Sequence, residues 1–453
     1  MNNQQTSCVD CDEIHAPYAL CAIKRKKELK DDFREKSDPR DDEVSPRSAY
    51  HRDRDRIIWS KAFKRLQNKT QVFPHYFEDH YKRRLTHSLE VSAIATALAR
   101  CLNLNEVVTD AIALGHDLGH TPFGHAGEEA LNNLSSEYFK NKSLDGEYIP
   151  LKGFNHCFQA IEVVSRIEKH KSEMGLNLTR DVRDGILKHI CDRNNEESRQ
   201  TKPYFCLENI CKCSSYKQYG EAKYGSLEAQ CVWFADKLCY LFGDIEDGLR
   251  ADIFNYKDMF KHPFAEYMQK AYLEYLGSLP IQVKRAKKKE YLQIYKLKKE
   301  DMDIIDKYYY IRNKSITLSI NHCKKEFERR LKDNSITNTE DVLNCDKRLV
   351  NVDEEWQIRW GAFYKKYMVG MLFENNQVKD SNYKAREIIN KLFNRYLKET
   401  DLIPLNFRKN AERVYKDIVE DRFMDFIITR NYIAGMTDLF AIQKYKDLFC
   451  PWK

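Results

Sequence analysis

The chain has 453 residues, 42% apolar and 32% charged, proportions that exclude wholesale disorder and a collagen-like fibre. Glycine and proline together make about 6% of it, against an ordinary share of about 12%, so turn formers are scarce and an all-α fold is expected. The formal net charge of +7 suits an anionic ligand without choosing among nucleotides, nucleic acid and acidic partners.

No apolar run is long enough to span a bilayer. The opening MNNQQTSCVDCDE lacks a basic stretch followed by an apolar one, so a cytoplasmic location with no membrane partner is expected. In that compartment the 14 cysteines are expected as thiols. Residues 1–50 are dense in charge, with little apolar periodicity, and read as an arm. Residues 51–250 hold the motif-like clusters and read as the core, and residues 251–453 read as a helical C-terminal region packed on the core or extending it.

In chain order, the first strong element runs from Leu85 to Leu102. Leu85, Leu89, Ala93, Ala97 and Cys101 recur every four residues beside Ile94 and Leu98, which predicts an amphipathic helix with that stripe as its apolar face. A second helix is predicted over Glu106–Leu118, broken by GHTPFGHAG at residues 119–127. The third begins near Ala126, with Glu128 and Glu129 at its positive N-terminal end. Helices are also predicted over 179–190 and 227–241, separated by a polar, turn-rich surface insertion at 192–226.

Two weaker signals are set beside ordinary explanations. Cys8, Cys11 and His15, and separately Cys206, Cys211 and Cys213, fall short of four zinc ligands at standard spacing and read as thiols. The basic, aromatic stretch Lys284–Tyr310 could track single-stranded nucleic acid by charge and stacking; a solvated helix face with tyrosines turned inward is the better account.

Chemistry concentrates in His87 of RRLTHSLEV, the adjacent His116 and Asp117 of GHDLGHTPFGH, and Asp236 of FADKLCY. Two imidazoles and two carboxylates suit a borderline or hard divalent metal (Mn²⁺, Mg²⁺, Fe²⁺, Co²⁺ or Ni²⁺) with positions left open for water and phosphate. One histidine on a semi-apolar helix is more often packed than ligating. The chain has only 13, however, and His87, His116, His120, His125 and His156 crowd one short region.

The strings RLTHSLEV, AIALGHDLGHTPFGHAGEEAL, GLNLT and SLEAQ, followed by AD, Tyr240 and DGLR, resemble the HD-domain deoxynucleoside triphosphate triphosphohydrolases of the dGTPase type. The likeness covers about residues 52 to 250 and returns in NYIAGMTDLFAIQKYKDLF near the end. It implies an all-α HD fold in which His87, His116, Asp117 and Asp236 hold the metal. It also implies a catalytic pair, His125 near the α-phosphate and Glu128 orienting it or a water, with His120 and His156 as further active-site histidines. The family usually reads Glu-His-Asn where this chain reads Asn155, His156, Cys157. Arg84, Tyr240 and Asp244 match substrate-contact positions, and Gln71 of KTQVF matches a residue that reads the deoxyribose.

A dNTP brings about four negative charges, for which Arg52, Arg84 and Lys237 are candidate cations, each with a solvated surface charge as its ordinary explanation. Lys237 replaces an acidic residue common in bacterial members and resembles the lysine of the SAM-domain-linked branch. The implied reaction is in-line attack of a metal-activated water on the α-phosphorus, with protonated His125 donating to the leaving 5′-oxygen, giving a deoxynucleoside and triphosphate. The resemblance further suggests a homo-oligomer, and leaves open a nucleotide effector. Two rivals stand beside this reading: an HD phosphohydrolase acting on another nucleotide, and a nucleotide-sensing, nucleic-acid-binding regulator. A pure sensor would need no acid/base pair.

Overall fold

The computed structural model describes residues 15–42, 45–71, 82–140, 142, 152–171, 173–189, 223–253, 255, 258–259, 261–278 and 303–450. The fold is all-α, as the scarcity of turn formers predicts; the described strands are one antiparallel pair, β1 (Lys169–His170) and β2 (Glu173–Met174). Most of the 192–226 insertion, the paired-cysteine clusters at 8–11 and 206–213, and the basic run up to residue 302 lie outside the described residues. Among the described residues no helix is long and apolar enough to cross a membrane.

The chain divides into two compact units, one made of residues 1–236, 334–348 and 381–453, the other of 237–333 and 349–380. In the first lie α1 (Ala22–Leu29), α2 (Ala49–Trp59), α3 (Arg84–Cys101), α4 (Glu106–Gly115), α5 (Gly124–Phe139), α6 (His156–Glu162) and α7 (Arg180–Lys188). The helix α8 (Leu227–Arg250) contributes its N-terminal part to this unit and continues past the predicted end at 241. The second unit holds α9 (Glu266–Ser278), α10 (Asp303–Asp333) and α11 (Glu354–Tyr364), with Phe264 edge-on to Trp356 at 5.1 Å and 4.9 Å from Phe363 in its core. Then α12 (Asn376–Lys398) returns to the first unit, followed there by α13 (Leu405–Tyr415), α14 (Met424–Ala434) and α15 (Asp438–Phe449).

The helix predicted from Leu85 is present, but most of the predicted stripe faces away from the core, with Leu98 its one buried member. Leu89 is 52% exposed, Ala93 and Ala97 face solvent with it, and the buried face is Arg84, His87, Ser88, Val91, Ala95, Leu98 and Ala99. Polar residues buried at the N-terminal end of that face, Arg84, His87 and Ser88, hide the amphipathic pattern.

The helix α4 starts at Asn105, whose side chain accepts from the Val107 and Val108 amides, and ends three residues before the predicted Leu118, at the His-Asp pair. It crosses α7 with its backbone unusually close. A Cβ on Gly115 would fall 2.5 Å from Ile186 Cδ1, and one on Gly185 would fall 2.4 Å from Ile112 Cδ1. This reciprocal approach brings the C-terminal ends of the two helices together, and with them His116 and His189, whose ring centroids are 5.0 Å apart. The described cysteines 101, 157, 231, 239, 323, 345 and 450 are thiols outside any disulfide, whereas Cys21 is disulfide-bonded, which corrects the all-thiol expectation based on compartment.

Candidate active site

Three separate elements deliver the four expected metal ligands: α3 carries His87, the turn after α4 carries His116 and Asp117, and α8 carries Asp236. His87 Nε2 is 2.9 Å from Asp236 Oδ1 and 4.0 Å from Asp117 Oδ2. His116 Nε2 is 3.4 Å from Asp117 Oδ1 and 3.8 Å from Asp236 Oδ1. His116 donates through Nδ1 to the Ala113 carbonyl at 2.6 Å, so its Nε2 carries the lone pair, and that nitrogen is buried with no hydrogen-bond partner. Burial alone would raise the Asp117 carboxyl, but the Arg84 guanidinium and a hydrogen bond with His120 overcome it and hold the group well below the usual carboxylate range. At Asp236, too, burial is outweighed, here chiefly by the His87 hydrogen bond. Two anionic carboxylates facing a lone-pair nitrogen form a donor set that fits a divalent cation.

Around this centre sits a layer of polar groups. Arg84 donates from Nη1 to Asp117 Oδ2 at 3.1 Å, while its Nε and Nη2 are buried and unpartnered. Gly124, at φ +57°, packs against it: a Cβ there would lie 3.1 Å from Arg84 Nη2 and 3.3 Å from the Gln71 carbonyl. Gln71 Oε1 is likewise buried without a partner. His120 Nδ1 lies 2.8 Å from Asp117 Oδ1, and its ring stacks on His156 at 3.8 Å. Burial, reinforced by the Arg84 charge, pushes the His120 pKa well down despite Asp117. Glu128 Oε2 accepts from His156 Nδ1 at 2.9 Å and is 3.7 Å from His125 Nδ1. His125, on the first turn of α5, is the exposed member of the group, its side chain 68% accessible.

Some residues that shape the site were not singled out in the sequence. His189 is buried against His116, with Nε2 unpartnered, and burial lowers its pKa to about 3. Its only sequence signal is a histidine closing a predicted helix. Asp438, at the start of α15, accepts from the Phe123 amide through Oδ1 and from the Thr70 amide through Oδ2, both at 2.9 Å, and also from the Thr70 hydroxyl. Lys69 is buried and donates to the His120 and Ala434 carbonyls. The C-terminal string resembling the family signature thus fastens the loop between the metal ligands and α5.

Other expected substrate contacts have different surroundings. Arg52 is buried with Asp41 and the Arg47 carbonyl as partners, in a network that also ties Arg34 to Asp41 and Asp53. Lys237, Tyr240 and Asp244 follow Asp236 on α8 but belong to the second unit, where Tyr240 shares a hydrogen bond with the Tyr364 hydroxyl and Asp244 is buried.

Comparison with known proteins places these residues in a wider set. The chain matches the HD domain over residues 84–241 and the phosphohydrolase-associated domain over 357–447. It is 33% identical to a deoxyguanosinetriphosphate triphosphohydrolase-like protein of Rickettsia felis over 409 residues, 89% of this chain and 92% of that one. Proteins of the same description from Rickettsia typhi, 33% identical, and Rickettsia canadensis, 32% identical, cover 89% of this chain and 92% and 93% of their own lengths.

Proposed function

This chain belongs to the deoxyguanosinetriphosphate triphosphohydrolase-like family of HD-domain phosphohydrolases, and from that premise we propose that it hydrolyses a deoxynucleoside triphosphate at the α-phosphorus, releasing deoxynucleoside and intact triphosphate. The observation that carries the reading is the concentration of buried, unpartnered polar atoms beside the carboxylates: Arg84 Nε and Nη2, Gln71 Oε1 and His116 Nε2. An unsatisfied buried group costs about 1–3 kcal/mol, so a cluster of them marks a place that a polar ligand completes.

A divalent metal held by His87, His116, Asp117 and Asp236 would polarise a water and offset charge at phosphorus; Mn²⁺, Mg²⁺, Fe²⁺, Co²⁺ and Ni²⁺ all suit the donors. Arg84 supplies a cation whose free guanidinium edge is available to phosphate oxygens while its other edge fixes Asp117. Gln71 offers a polar contact for the sugar. His125, at the exposed rim, delivers a proton to the departing 5′-oxygen. Glu128 holds His156 at 2.9 Å and lies 3.7 Å from His125 Nδ1, where it can orient that imidazole. Lys237, Tyr240 and Asp244 remain part of this reading as substrate contacts on the strength of the family resemblance. A homo-oligomer and a nucleotide effector rest on the same ground.

The test is a dGTP reaction with Mn²⁺ or Mg²⁺ in ¹⁸O-labelled water, followed by chromatography and repeated with the other three dNTPs. Unlabelled deoxyguanosine and labelled triphosphate are expected. Primary release of dGDP or dGMP, or label in deoxyguanosine, would overturn the proposed chemistry.

A further inference from the structure

Behind the metal centre, His156, Cys157 and His189 each offer one ligand atom; the three atoms lie within 4.8 Å of one another and all three residues are buried. Both imidazoles are fixed by an acceptor on Nδ1. His156 donates to Glu128 Oε2 at 2.9 Å, and His189 donates to the Ile186 carbonyl at 2.7 Å. In each ring Nε2 is therefore the nitrogen left with a lone pair. The His156 Nε2 is 3.5 Å from the Cys157 sulfur, and the His189 Nε2 is buried with no hydrogen-bond partner. Cys157 is a thiol, not part of a disulfide.

A carboxylate or backbone carbonyl behind each imidazole is the arrangement by which proteins orient metal-binding histidines. The donor set differs from that of the neighbouring centre: one sulfur and two nitrogens in place of two nitrogens and two carboxylates. Thiolate selects a borderline or soft ion over Mg²⁺ and Mn²⁺, and three protein ligands with a fourth position open are a stable coordination for zinc. Local structure holds the trio in place. His156 and Cys157 open α6, where the Asn155 side chain caps the helix by accepting from the Cys157 and Phe158 amides. His189 closes α7, which the interlocked glycines hold against α4.

We propose that His156, Cys157 and His189 form a second metal site that takes Zn²⁺, separate from the centre of His87, His116, Asp117 and Asp236. On binding, the Cys157 thiol proton is released to solvent and the thiolate and two Nε2 atoms become the ligands. Under the catalytic reading above, and only under it, an occupied site also withdraws His156 from the substrate pocket, so zinc inhibits turnover.

The test uses the full-length protein freed of metal. Zinc titration against a chromophoric chelator should give one equivalent fewer tightly bound in Cys157→Ser, and again in His189→Gln, than in the wild type. Loaded with Co²⁺, the wild type should show thiolate-to-cobalt charge-transfer absorption in the near ultraviolet. That absorption should weaken or vanish in Cys157→Ser and persist in Asp236→Asn. Circular dichroism confirms that each variant is folded. Equal zinc stoichiometry in wild type and Cys157→Ser, or charge transfer of unchanged intensity in that variant, would refute the site. Because these readouts are metal content and absorption, they stand apart from the product analysis that tests the phosphohydrolase reading.

Discussion

Glu128 Oε2 lies 2.9 Å from His156 Nδ1 and 3.7 Å from His125 Nδ1, so a single carboxylate oxygen faces two imidazoles. Its neighbour Glu129, about 100° further round the helix, reaches solvent and pairs with Arg386 at 3.2 Å. Glu128→Gln is expected to keep metal and substrate binding while slowing single-turnover hydrolysis by roughly two to four powers of ten, the range for lost acid/base assistance. Glu129→Gln should stay within a few-fold of wild type. Finding Glu129→Gln inactive and Glu128→Gln active would reverse these assignments.

His116→Ala and Asp236→Asn should each lose the resident divalent metal and turnover together, with helical content unchanged. Asp117→Ala differs, because it leaves the buried Arg84 guanidinium without its carboxylate. Removing one partner of a buried pair costs about 3–5 kcal/mol, so this variant should also melt at a lower temperature. Metal analysis with a parallel thermal melt separates the two classes; full occupancy in all three would rule out the ligand set.

The candidate ligands could be picked out in the sequence because donor chemistry confines them to a few residue types, and because His116 and Asp117 are adjacent in a glycine-rich break. Helix existence was equally legible for α3, α4, α5, α7 and α8, where apolar spacing is regular. What the sequence concealed is whatever depends on partners far along the chain. The inward face of α3 carries Arg84, His87 and Ser88 at its N-terminal end, so an apolar stripe drawn through Leu89, Ala93 and Ala97 selects the solvent side. Asp438 lies 315 residues from Phe123 and 368 from Thr70. No local spacing reveals such bonds.

Those bonds lead to a further expectation. Asp438→Ala strands the Phe123 and Thr70 amides that its carboxylate satisfies, and buried unsatisfied donors cost about 1–3 kcal/mol each. The variant should therefore melt several degrees lower. It should also bind the divalent metal more weakly, since the loop it fastens runs from Asp117 to α5. Asp438→Asn keeps one accepting oxygen and should fall between. Unchanged metal affinity in a destabilised Asp438→Ala would confine the residue to a structural role.

Glu228, fully buried on the first turn of α8, accepts from the Leu20 amide at 2.8 Å and the Asn105 amide at 3.3 Å. Burial outweighs these bonds and raises its pKa from 4.5 to about 7. Between those values the folded protein binds the proton more tightly than the unfolded chain, so the group favours the fold at low pH and this advantage is lost as pH rises from 4.5 to 7. At about 1.4 kcal/mol per unit the loss is on the order of 3 kcal/mol. A glutamine keeps an accepting oxygen for both amides but does not titrate. Glu228→Gln should accordingly be no more stable than wild type near pH 4.5 and more stable near pH 8, a crossover measurable in paired denaturation curves at the two pH values. A stability difference independent of pH would mean that the buried carboxyl is not protonated in the fold.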